Sequence, residues 1–188
     1  MRKLTILVDM DDTIENLLDS WLHMLNVRHG TFVTPDMITE WDIPKFFPEL
    51  TEKEVYEPLF EYSLWADVKP KWDAVEYLKM LHDDGHEIYI TTSSNFETIC
   101  GKVFNVIDRY FPYIDRRHII VATKKQMIRG DVMVDDGPHN LEGGEYEKIL
   151  MTAPHNRTYN AEANGMLRVN SWMEAYGAIS EIACNQAV

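Results

Sequence analysis

The sequence predicts an α/β protein with a Rossmann-like, three-layer parallel sheet and a small, mainly helical segment inserted after the first strand. From residue 70 onward, apolar segments typical of buried strands alternate with segments of helical periodicity. Polar or acidic residues directly follow several of the apolar segments. Residues 31–69 interrupt the alternation with four prolines and many aromatic residues.

The first apolar segment, residues 4–8, is predicted to be a buried strand. A helix should follow, because Ile14, Leu17, Trp21 and Leu25 recur at helical spacing and Gly30 can end it. The proline- and aromatic-rich stretch after Gly30 predicts short helices and loops. We therefore assign residues 1–16 and 70–188 to the core. Residues 17–69, called the cap segment below, would form a small domain above the carboxyl ends of the strands.

The remainder of the chain predicts a regular alternation of helices and strands. The helix after Pro70 should end near Gly85, and Ser171 with Glu174 predicts a capping box that starts a final helix to about Ala183. Between them, strands are predicted at residues 87–92, 118–122, 132–134 and 148–151, with a helix at residues 96–109. This order implies a mainly parallel sheet with right-handed crossovers.

Composition fits one globular domain with a modest insertion. The chain has 188 residues, and 45% of them are hydrophobic. Acidic residues outnumber Lys and Arg by 31 to 18, giving a formal net charge of −13, which argues against binding of a nucleic acid polymer. Cys100 and Cys184 are far apart, so no disulfide framework is expected. The sequence shows no long apolar span and no signal-peptide pattern, so we expect a cytoplasmic protein without a membrane partner.

Three acids follow the first predicted strand within four residues: Asp9, Asp11 and Asp12, with Thr13 next. Ligands of open α/β sheets bind beyond the carboxyl ends of the strands. Crowded carboxylates there are costly unless a cation neutralises them. The segment thus predicts a divalent-metal site with a candidate aspartyl nucleophile. The alternative is an acidic turn in which Asp12 or Thr13 caps the next helix.

Three further predicted strand ends carry polar groups: the hydroxyl run at residues 91–94, the pair Lys124-Lys125 and the pair Asp135-Asp136. Each has an ordinary structural explanation when taken alone. Hydroxyl runs cap helices, Lys pairs are usually solvated, and Asp-Asp-Gly-Pro is a good turn. Their common position after apolar strands favours one shared site.

Together these segments resemble the four motifs of the haloacid dehalogenase superfamily of phosphatases. Residues 9–13, Asp-Met-Asp-Asp-Thr, match the first motif, Asp-x-Asp-x-Thr. The hydroxyl after residues 88–90 matches the second motif, a Lys the third, and Asp135-Asp136 the fourth. Residues 130–136 and the small cap between motifs one and two are similar to the 5′(3′)-deoxyribonucleotidase (cytosolic type C nucleotidase) branch.

The resemblance implies a Mg²⁺-dependent phosphomonoesterase that works through an aspartyl-phosphate. Asp9 would be the nucleophile, and Asp11 would protonate the leaving group and then activate water. Mg²⁺ would be held by Asp9, the main-chain carbonyl of Asp11 and the Asp135/Asp136 pair. We favour Asp136 as the direct ligand, with Asp135 orienting a Lys or water.

The resemblance also implies a set of phosphate-binding residues: Thr92, Ser93, Lys102 and Lys125. Thr91 remains an alternative to Thr92, and Lys124 an alternative to Lys125. Trp41 and Trp65 are the candidate substrate contacts from the cap segment, and Phe46, Phe47 and Tyr62 are further aromatic residues there. Leu17 stands where the family pattern has an aromatic residue, with Trp21 one turn on.

The expected partner is a small phosphate monoester, specifically a (deoxy)ribonucleoside monophosphate. The base, the sugar, the 5′ or 3′ position of the phosphate and the formation of a homodimer stay open. One alternative is a phosphatase or phosphomutase that acts on another small ester such as a sugar phosphate. The other is a non-enzymatic module that binds phosphate or Mg²⁺. The intact pair Asp9 and Asp11 argues against it, because binding alone needs no acid/base residue.

Overall fold

The computed structural model describes residues 2–185 and contains a six-stranded sheet in which all neighbouring strands are parallel. The strands are β1 (Thr5–Val8), β2 (Glu87–Thr92), β3 (Ile119–Val121), β4 (Val132–Asp135), β5 (Glu147–Met151) and β6 (Leu167–Val169). Their order across the sheet is β3-β2-β1-β4-β5-β6. The predicted α/β fold class is confirmed.

The helices occupy the segments between the strands and the cap segment. They are α1 (Leu17–His29), α2 (Glu52–Tyr56), α3 (Tyr62–Asp67), α4 (Trp72–Asp83), α5 (Phe96–Lys102), α6 (Asp108–Tyr110), α7 (Pro138–Leu141) and α8 (Trp172–Asn185). Helix α5 passes through a π-helical turn, Val103–Ile107, into α6. The helix predicted at residues 96–109 is therefore present with a local change of pitch. Within residues 2–185, no helix combines the length and apolar character needed to cross a membrane.

Strand β1 is buried on both faces and separates two apolar cores. Ile6 and Val8 point into the larger core, which includes helices α1, α4 and α8. Leu7 points the other way and packs with Met133 and Leu150 in the smaller core. This explains the apolar character of residues 4–8, in which Thr5 is the one polar residue, since a strand covered on both faces has no polar side.

The strand order brings the chemical groups of several strands together. Strand β1 lies between β2 and β4, and Val8 is in register with Ile90 of β2 and Val134 of β4. From β1 the chain continues to β2 and β3 on one side, and it then crosses to β4 on the other side of β1, which makes this edge a topological switch point. Side chains that follow β1, β2 and β4 therefore meet at one place.

The cap segment contains α1, α2 and α3 and three short 3₁₀ turns: Pro35–Met37, Ile43–Phe46 and Glu57–Phe60. Its two connections to the core run side by side. Lys71 donates its backbone N–H to Ile14 O (2.9 Å), Asn16 donates to Lys69 O (2.9 Å), and Glu15 pairs with Pro70 in an antiparallel bridge. The short helices and loops agree with the broken periodicity of the sequence.

Two features differ from the sequence-based expectation. Strand β6 was not predicted; it has three residues, and only Val169 is buried, so no periodic signal marks it. The expected capping box at α8 is divided between two residues. The Ser171 hydroxyl accepts the Glu174 N–H (3.2 Å), but the Glu174 carboxylate accepts from the N–H of Asn170 (2.7 Å). Residues 1 and 186–188 of the predicted core lie outside the described residues.

Candidate active site

Asp9 lies at the end of β1 and is held from three sides. Its backbone N–H donates to Val134 O of the neighbouring strand (2.9 Å). The Thr13 hydroxyl donates to Asp9 Oδ2 (3.3 Å), and the Lys125 ammonium donates to Asp9 Oδ1. Asp9 is 5% exposed. A buried carboxylate between a hydroxyl and an ammonium is fixed in one orientation, as a nucleophile requires.

The two acids at the end of β4 differ in their hydrogen bonding. Asp135 accepts from Lys125 Nζ at Oδ2 (2.7 Å) and from Gly137 N (2.7 Å) and Asn140 Nδ2 (3.0 Å) at Oδ1. Asp136 Oδ2 is buried without a hydrogen-bond partner among the described residues. The Nε2 atom of His155 lies 3.2 Å from it, at ion-pair distance but not aligned for a hydrogen bond. Asp136 therefore keeps lone pairs free for a ligand.

Carboxylate oxygens of Asp9, Asp135 and Asp136 lie within 4.8 Å of one another. Burial raises the pKa of Asp9 well above its usual range, against the opposing charge of Lys125. Burial and then the Asp135 charge raise the pKa of Asp136 to about 8. Lys125 is also buried, which lowers its pKa, but the charges of Asp9 and Asp135 outweigh burial and raise it. A divalent cation would relieve this repulsion, and three oxygen donors suit Mg²⁺.

Asp11 is bound by Lys102, which reaches it from α5. Lys102 Nζ donates to Asp11 Oδ2 (2.6 Å) and to Thr92 Oγ1 at the end of β2 (3.2 Å). The same ammonium lies 4.8 Å from the ring centroid of Trp65. Asp11 Oδ1 is buried and has no hydrogen-bond partner among residues 2–185. One oxygen of Asp11 is thus anchored by Lys102, and Asp11 also lies close enough to the buried Glu15 carboxyl that burial and then the Asp11 charge raise the pKa of Glu15.

The environments of Thr92 and Lys125 differ from those of their alternatives, Thr91 and Lys124. Thr92 Oγ1 contacts Lys102 and Ser94 Oγ (3.1 Å), whereas Thr91 Oγ1 is buried and has no hydrogen-bond partner in the part of the chain that the structure describes. Lys125 is buried against Asp9, whereas Lys124 is exposed. Ser93 is exposed and lines a cavity of about 460 Å³ with Asp11, Lys102 and Thr98. The structure thus brings all the phosphate-binding candidates to the edge where Asp9 lies.

Asp12 caps the helix that follows the acidic turn, which is one of the two explanations that the sequence leaves open. Its φ of 53° is the one left-handed backbone angle among the non-glycine residues 2–185. Its Oδ1 accepts the N–H of Leu18 (3.0 Å), so the residue caps α1 from outside the helix, and its carbonyl accepts from Lys71 Nζ. Burial and the Asp136 charge raise the pKa of Asp12 to about 7. The acidic turn thus caps a helix through Asp12 and supplies Asp9 to the three-carboxylate cluster.

The two candidate tryptophans occupy different environments. Trp41 is 53% exposed and its ring meets that of His155 edge-on, with centroids 4.4 Å apart. Trp65 is 2% exposed, and its indole N–H donates to Leu59 O (3.0 Å). A second cavity, of about 240 Å³, has Asp11, Asp12 and His155 at its core side. Its cap side is apolar and aromatic: Leu17, Leu18, Trp21, Trp41, Ile43, Tyr56 and Leu59.

The other aromatic residues named from the sequence are spread over the cap segment. Phe47 is buried in the larger core, Phe46 packs against it, and Tyr62 is exposed with its hydroxyl 3.4 Å from Asn105 Oδ1. His155 was missed by the sequence analysis. It follows the end of β5 by four residues and lies in a separate turn, so its position after a strand was only a weak signal.

Two known proteins are similar to this chain over more than nine-tenths of its length. The chain is 33% identical over 173 residues to a 5′(3′)-deoxyribonucleotidase from Bacillus subtilis (strain 168), covering 92% of this chain and 96% of that protein. It is 30% identical over 178 residues to a protein of the same name from Clostridium acetobutylicum, covering 93% of this chain and 94% of that protein.

Solved structures with low sequence identity share the fold. A haloacid dehalogenase-like hydrolase from Streptococcus pneumoniae has a TM-score of 0.67 at 11% identity, covering 94% of this chain and 98% of that chain. A putative HAD-hydrolase from Bacillus subtilis, described as bound to magnesium, has a TM-score of 0.62 at 15% identity, covering 95% of this chain and 99% of that chain. These likenesses confirm the haloacid dehalogenase-like core.

The family match extends over nearly the whole chain. Residues 2–186 match the family described as "5′ nucleotidase, deoxy (Pyrimidine), cytosolic type C protein". With the two deoxyribonucleotidase relatives, this match shows that the chain belongs to that family of phosphomonoesterases.

Proposed function

We propose that this phosphomonoesterase is Mg²⁺-dependent and hydrolyses (deoxy)ribonucleoside monophosphates through an aspartyl-phosphate on Asp9. The observation that carries the proposal is the placement of Asp9 and Asp11. Asp9 belongs to a buried three-carboxylate cluster. Asp11, two residues on, has one anchored and one free oxygen. The arrangement separates a nucleophile from an acid/base group at a single strand end.

The donor set fits a hard divalent cation. Asp9 and Asp136 would hold Mg²⁺ with their carboxylates, together with the carbonyl of Asp11. The free lone pairs of Asp136 Oδ2 support this choice. Asp135 is better suited to fixing Lys125 and the following turn, because both of its oxygens already accept hydrogen bonds. When bound, the ion would offset the charge of the phosphoryl group and of the carboxylates.

In the first step a carboxylate oxygen of Asp9 attacks phosphorus, the bond from phosphorus to the ester oxygen breaks, and Asp11 gives its proton to the leaving alkoxide. In the second step Asp11 takes a proton from water as the water oxygen attacks phosphorus. The bond between Asp9 and phosphorus breaks, and inorganic phosphate leaves. Lys125 keeps Asp9 oriented, and Lys102 keeps Asp11 oriented in both steps.

Thr92, Ser93, Lys102 and Lys125 would bind the phosphate oxygens with hydroxyl and ammonium donors. The nucleoside would extend away from phosphorus into the cavity under the cap segment. The apolar and aromatic lining of that cavity, with Trp21, Trp41 and Tyr56, suits a planar base better than a polyhydroxyl sugar. The names of the relatives, 5′(3′)-deoxyribonucleotidase, point to the same substrate class.

The decisive experiment is phosphate release from a panel of substrates with and without Mg²⁺. The panel contains 5′- and 3′-monophosphates of ribo- and deoxyribonucleosides, sugar phosphates, and p-nitrophenyl phosphate as an ester without a base. We expect Mg²⁺-dependent release that is fastest with nucleotides and is lost in Asp9→Asn. Faster hydrolysis of sugar phosphates than of every nucleotide would reject the substrate assignment. Turnover by Asp9→Asn above a few per cent of the wild-type rate would reject the nucleophile.

A further inference from the structure

We propose that His155 is a positioning residue that couples the cap segment to the metal site, because one imidazole contacts both Trp41 and Asp136. The inference rests on the proposed function, since it assigns a role relative to the Mg²⁺ ligand. The side chain of His155 is 5% exposed and follows β5, outside the four sequence motifs. Its ring contacts Trp41 of the cap segment on one side and Asp136, a candidate metal ligand, on the other.

The first contact is with Asp136. His155 Nε2 lies 3.2 Å from Asp136 Oδ2 and 3.4 Å from the carbonyl of the same residue. The neighbouring side chain, Asn156, fixes that carbonyl with a 2.7 Å hydrogen bond and also donates to Met151 O (2.8 Å). The backbone of Asp136 is therefore held by Asn156, and His155 limits where its carboxylate can point. Such outer contacts determine how well a carboxylate presents itself to a metal ion.

The second contact is with Trp41. The two rings meet edge-on at an interplanar angle of 86° and a centroid separation of 4.4 Å. Trp41 comes from the cap segment and lines the same cavity as His155. A base that stacks there, or a shift of the cap segment, would move Trp41 against the imidazole. The imidazole would transmit this movement to the Asp136 carboxylate.

The coupling predicts that substrate enclosure and Mg²⁺ binding strengthen each other. Thermodynamic linkage makes this coupling reciprocal. If one position of Trp41 favours the arrangement of Asp136 that binds Mg²⁺, then bound Mg²⁺ favours that same position of Trp41. His139 provides an internal comparison. Its ring lies 5.5 Å from the Trp41 ring, but the side chain is exposed and, among residues 2–185, makes no hydrogen bond or ion pair with Asp136.

The test measures Mg²⁺ binding without substrate, as the rise in melting temperature during a Mg²⁺ titration, and separately measures KM for a nucleotide and for p-nitrophenyl phosphate. His155→Phe keeps a ring for Trp41 but removes the N–H near Asp136. His155→Gln keeps an N–H donor but removes the ring. Trp41→Ala removes the cap contact from a half-exposed position, so the fold should persist. His139→Phe is the matched control.

We expect His155→Phe to weaken Mg²⁺ binding by about 10-fold or more. His155→Gln should restore most of that binding while raising KM for the nucleotide more than for p-nitrophenyl phosphate. The diagnostic result is Trp41→Ala, which should weaken substrate-free Mg²⁺ binding by about fivefold in the wild-type background. It should have little effect in the His155→Gln background, and His139→Phe should match wild type.

Unchanged Mg²⁺ binding in Trp41→Ala, in an enzyme that still hydrolyses nucleotides with Mg²⁺, would overturn the coupling alone. A wild-type protein whose melting temperature and turnover both ignore Mg²⁺ would overturn the metal part of the proposed function as well. The two failures are therefore distinguishable.

Discussion

Lys102 donates a 2.6 Å hydrogen bond to Oδ2 of Asp11 from a helix that begins after the neighbouring strand of the sheet. The ammonium is buried and also contacts Thr92 and the ring of Trp65. The sequence resemblance suggests Lys102 as a phosphate contact. The structure adds a contact with the acid/base candidate, so loss of Lys102 should disturb proton transfer as well as binding.

We therefore expect Lys102→Met to lower kcat for a nucleotide by about 100-fold, the usual contribution of general acid–base catalysis. The loss with p-nitrophenyl phosphate should be smaller, because its leaving group needs no proton. Steady-state kinetics on both substrates measure the difference. Lys124→Met, which changes an exposed neighbour of Lys125, is the control and should keep wild-type rates. Equal losses on both substrates would show that Lys102 contributes through phosphate binding alone.

Asp11→Asn should separate the two chemical steps. Transfer of the phosphoryl group to Asp9 should continue with p-nitrophenyl phosphate, because that leaving group needs no acid. Breakdown of the aspartyl-phosphate should slow, since no base activates water. Rapid-quench measurements should then show a burst of nitrophenol and a trapped phosphoenzyme. Loss of the burst, with no phosphoenzyme, would contradict the assignment of Asp11 to both steps.

The two acids after β4 should respond differently to removal of their charge. Asp136→Asn should weaken Mg²⁺ binding by more than the roughly 10-fold that loss of an outer contact costs, with little change in the fold. Asp135→Asn should lower stability by about 1–3 kcal/mol, because Lys125 would lose an ionic partner in a buried site. Calorimetric Mg²⁺ titration and thermal denaturation compare the two variants. The reverse pattern would make Asp135 the direct ligand.

Stability without divalent cations should fall as the pH rises. Burial raises the pKa of Asp9 and Glu15 well above their usual range, that of Asp12 to about 7 and that of Asp136 to about 8. Above the carboxyl pKa of the unfolded chain, the folded protein therefore binds more protons than the unfolded chain. The free energy of unfolding should then decrease between about pH 5 and about pH 8.

The measurement for this prediction is melting temperature against pH in a chelating buffer, repeated with excess Mg²⁺. Mg²⁺ should restore stability most at the higher pH, where the carboxylates are ionised. Asp136→Asn should flatten the chelated profile, because it removes one of the raised carboxyl groups. A melting temperature that increases steadily over this pH interval would contradict the prediction.

Trp65→Ala should act on stability before it acts on substrate choice. Trp65 is buried against helix α5, where its indole ring contacts the Lys102 ammonium and packs closely against the backbone of Gly101. Removing this ring should cost about 3–5 kcal/mol, the usual range for a buried tryptophan. Denaturant unfolding would measure the loss, with Trp41→Ala as the half-exposed comparison. Equal stability of the two variants would show that the Trp65 site relaxes around the smaller side chain.

Sequence reasoning reached the parts of the fold that carry strong periodicity or sharp boundaries. The apolar run that ends at Asp9 and the pair that ends β4 both mark strand ends, so the fold class and the three-carboxylate cluster follow from them. Strand β6 has three residues and one buried position, too few for an alternation to show. The contact between Lys102 and Asp11 spans 91 positions and depends on how α5 packs, which no local pattern records.

His155 and Trp41 illustrate a second limit. A histidine in a Pro-His-Asn turn has many ordinary explanations, and only the sheet order places it beside Asp136. The division of the two tryptophans into one buried and one half-exposed ring is likewise a tertiary property. Aromatic density predicted a cap with planar groups, but it could not assign the individual rings.

The paired connections at residues 14–16 and 69–71 mean that the cap segment leaves the core and returns to it at a single point. Because its ends already meet, the core does not depend on the length of the chain between them. Insertions or deletions in the loops between α1 and α3 are therefore expected to leave Asp9 and Asp136 in place, whereas α1 itself packs in the larger core and is needed there. Variation in those loops is thus a route by which the substrate contacts proposed for the cap segment can change while Asp9, Asp11 and Asp136 keep their positions.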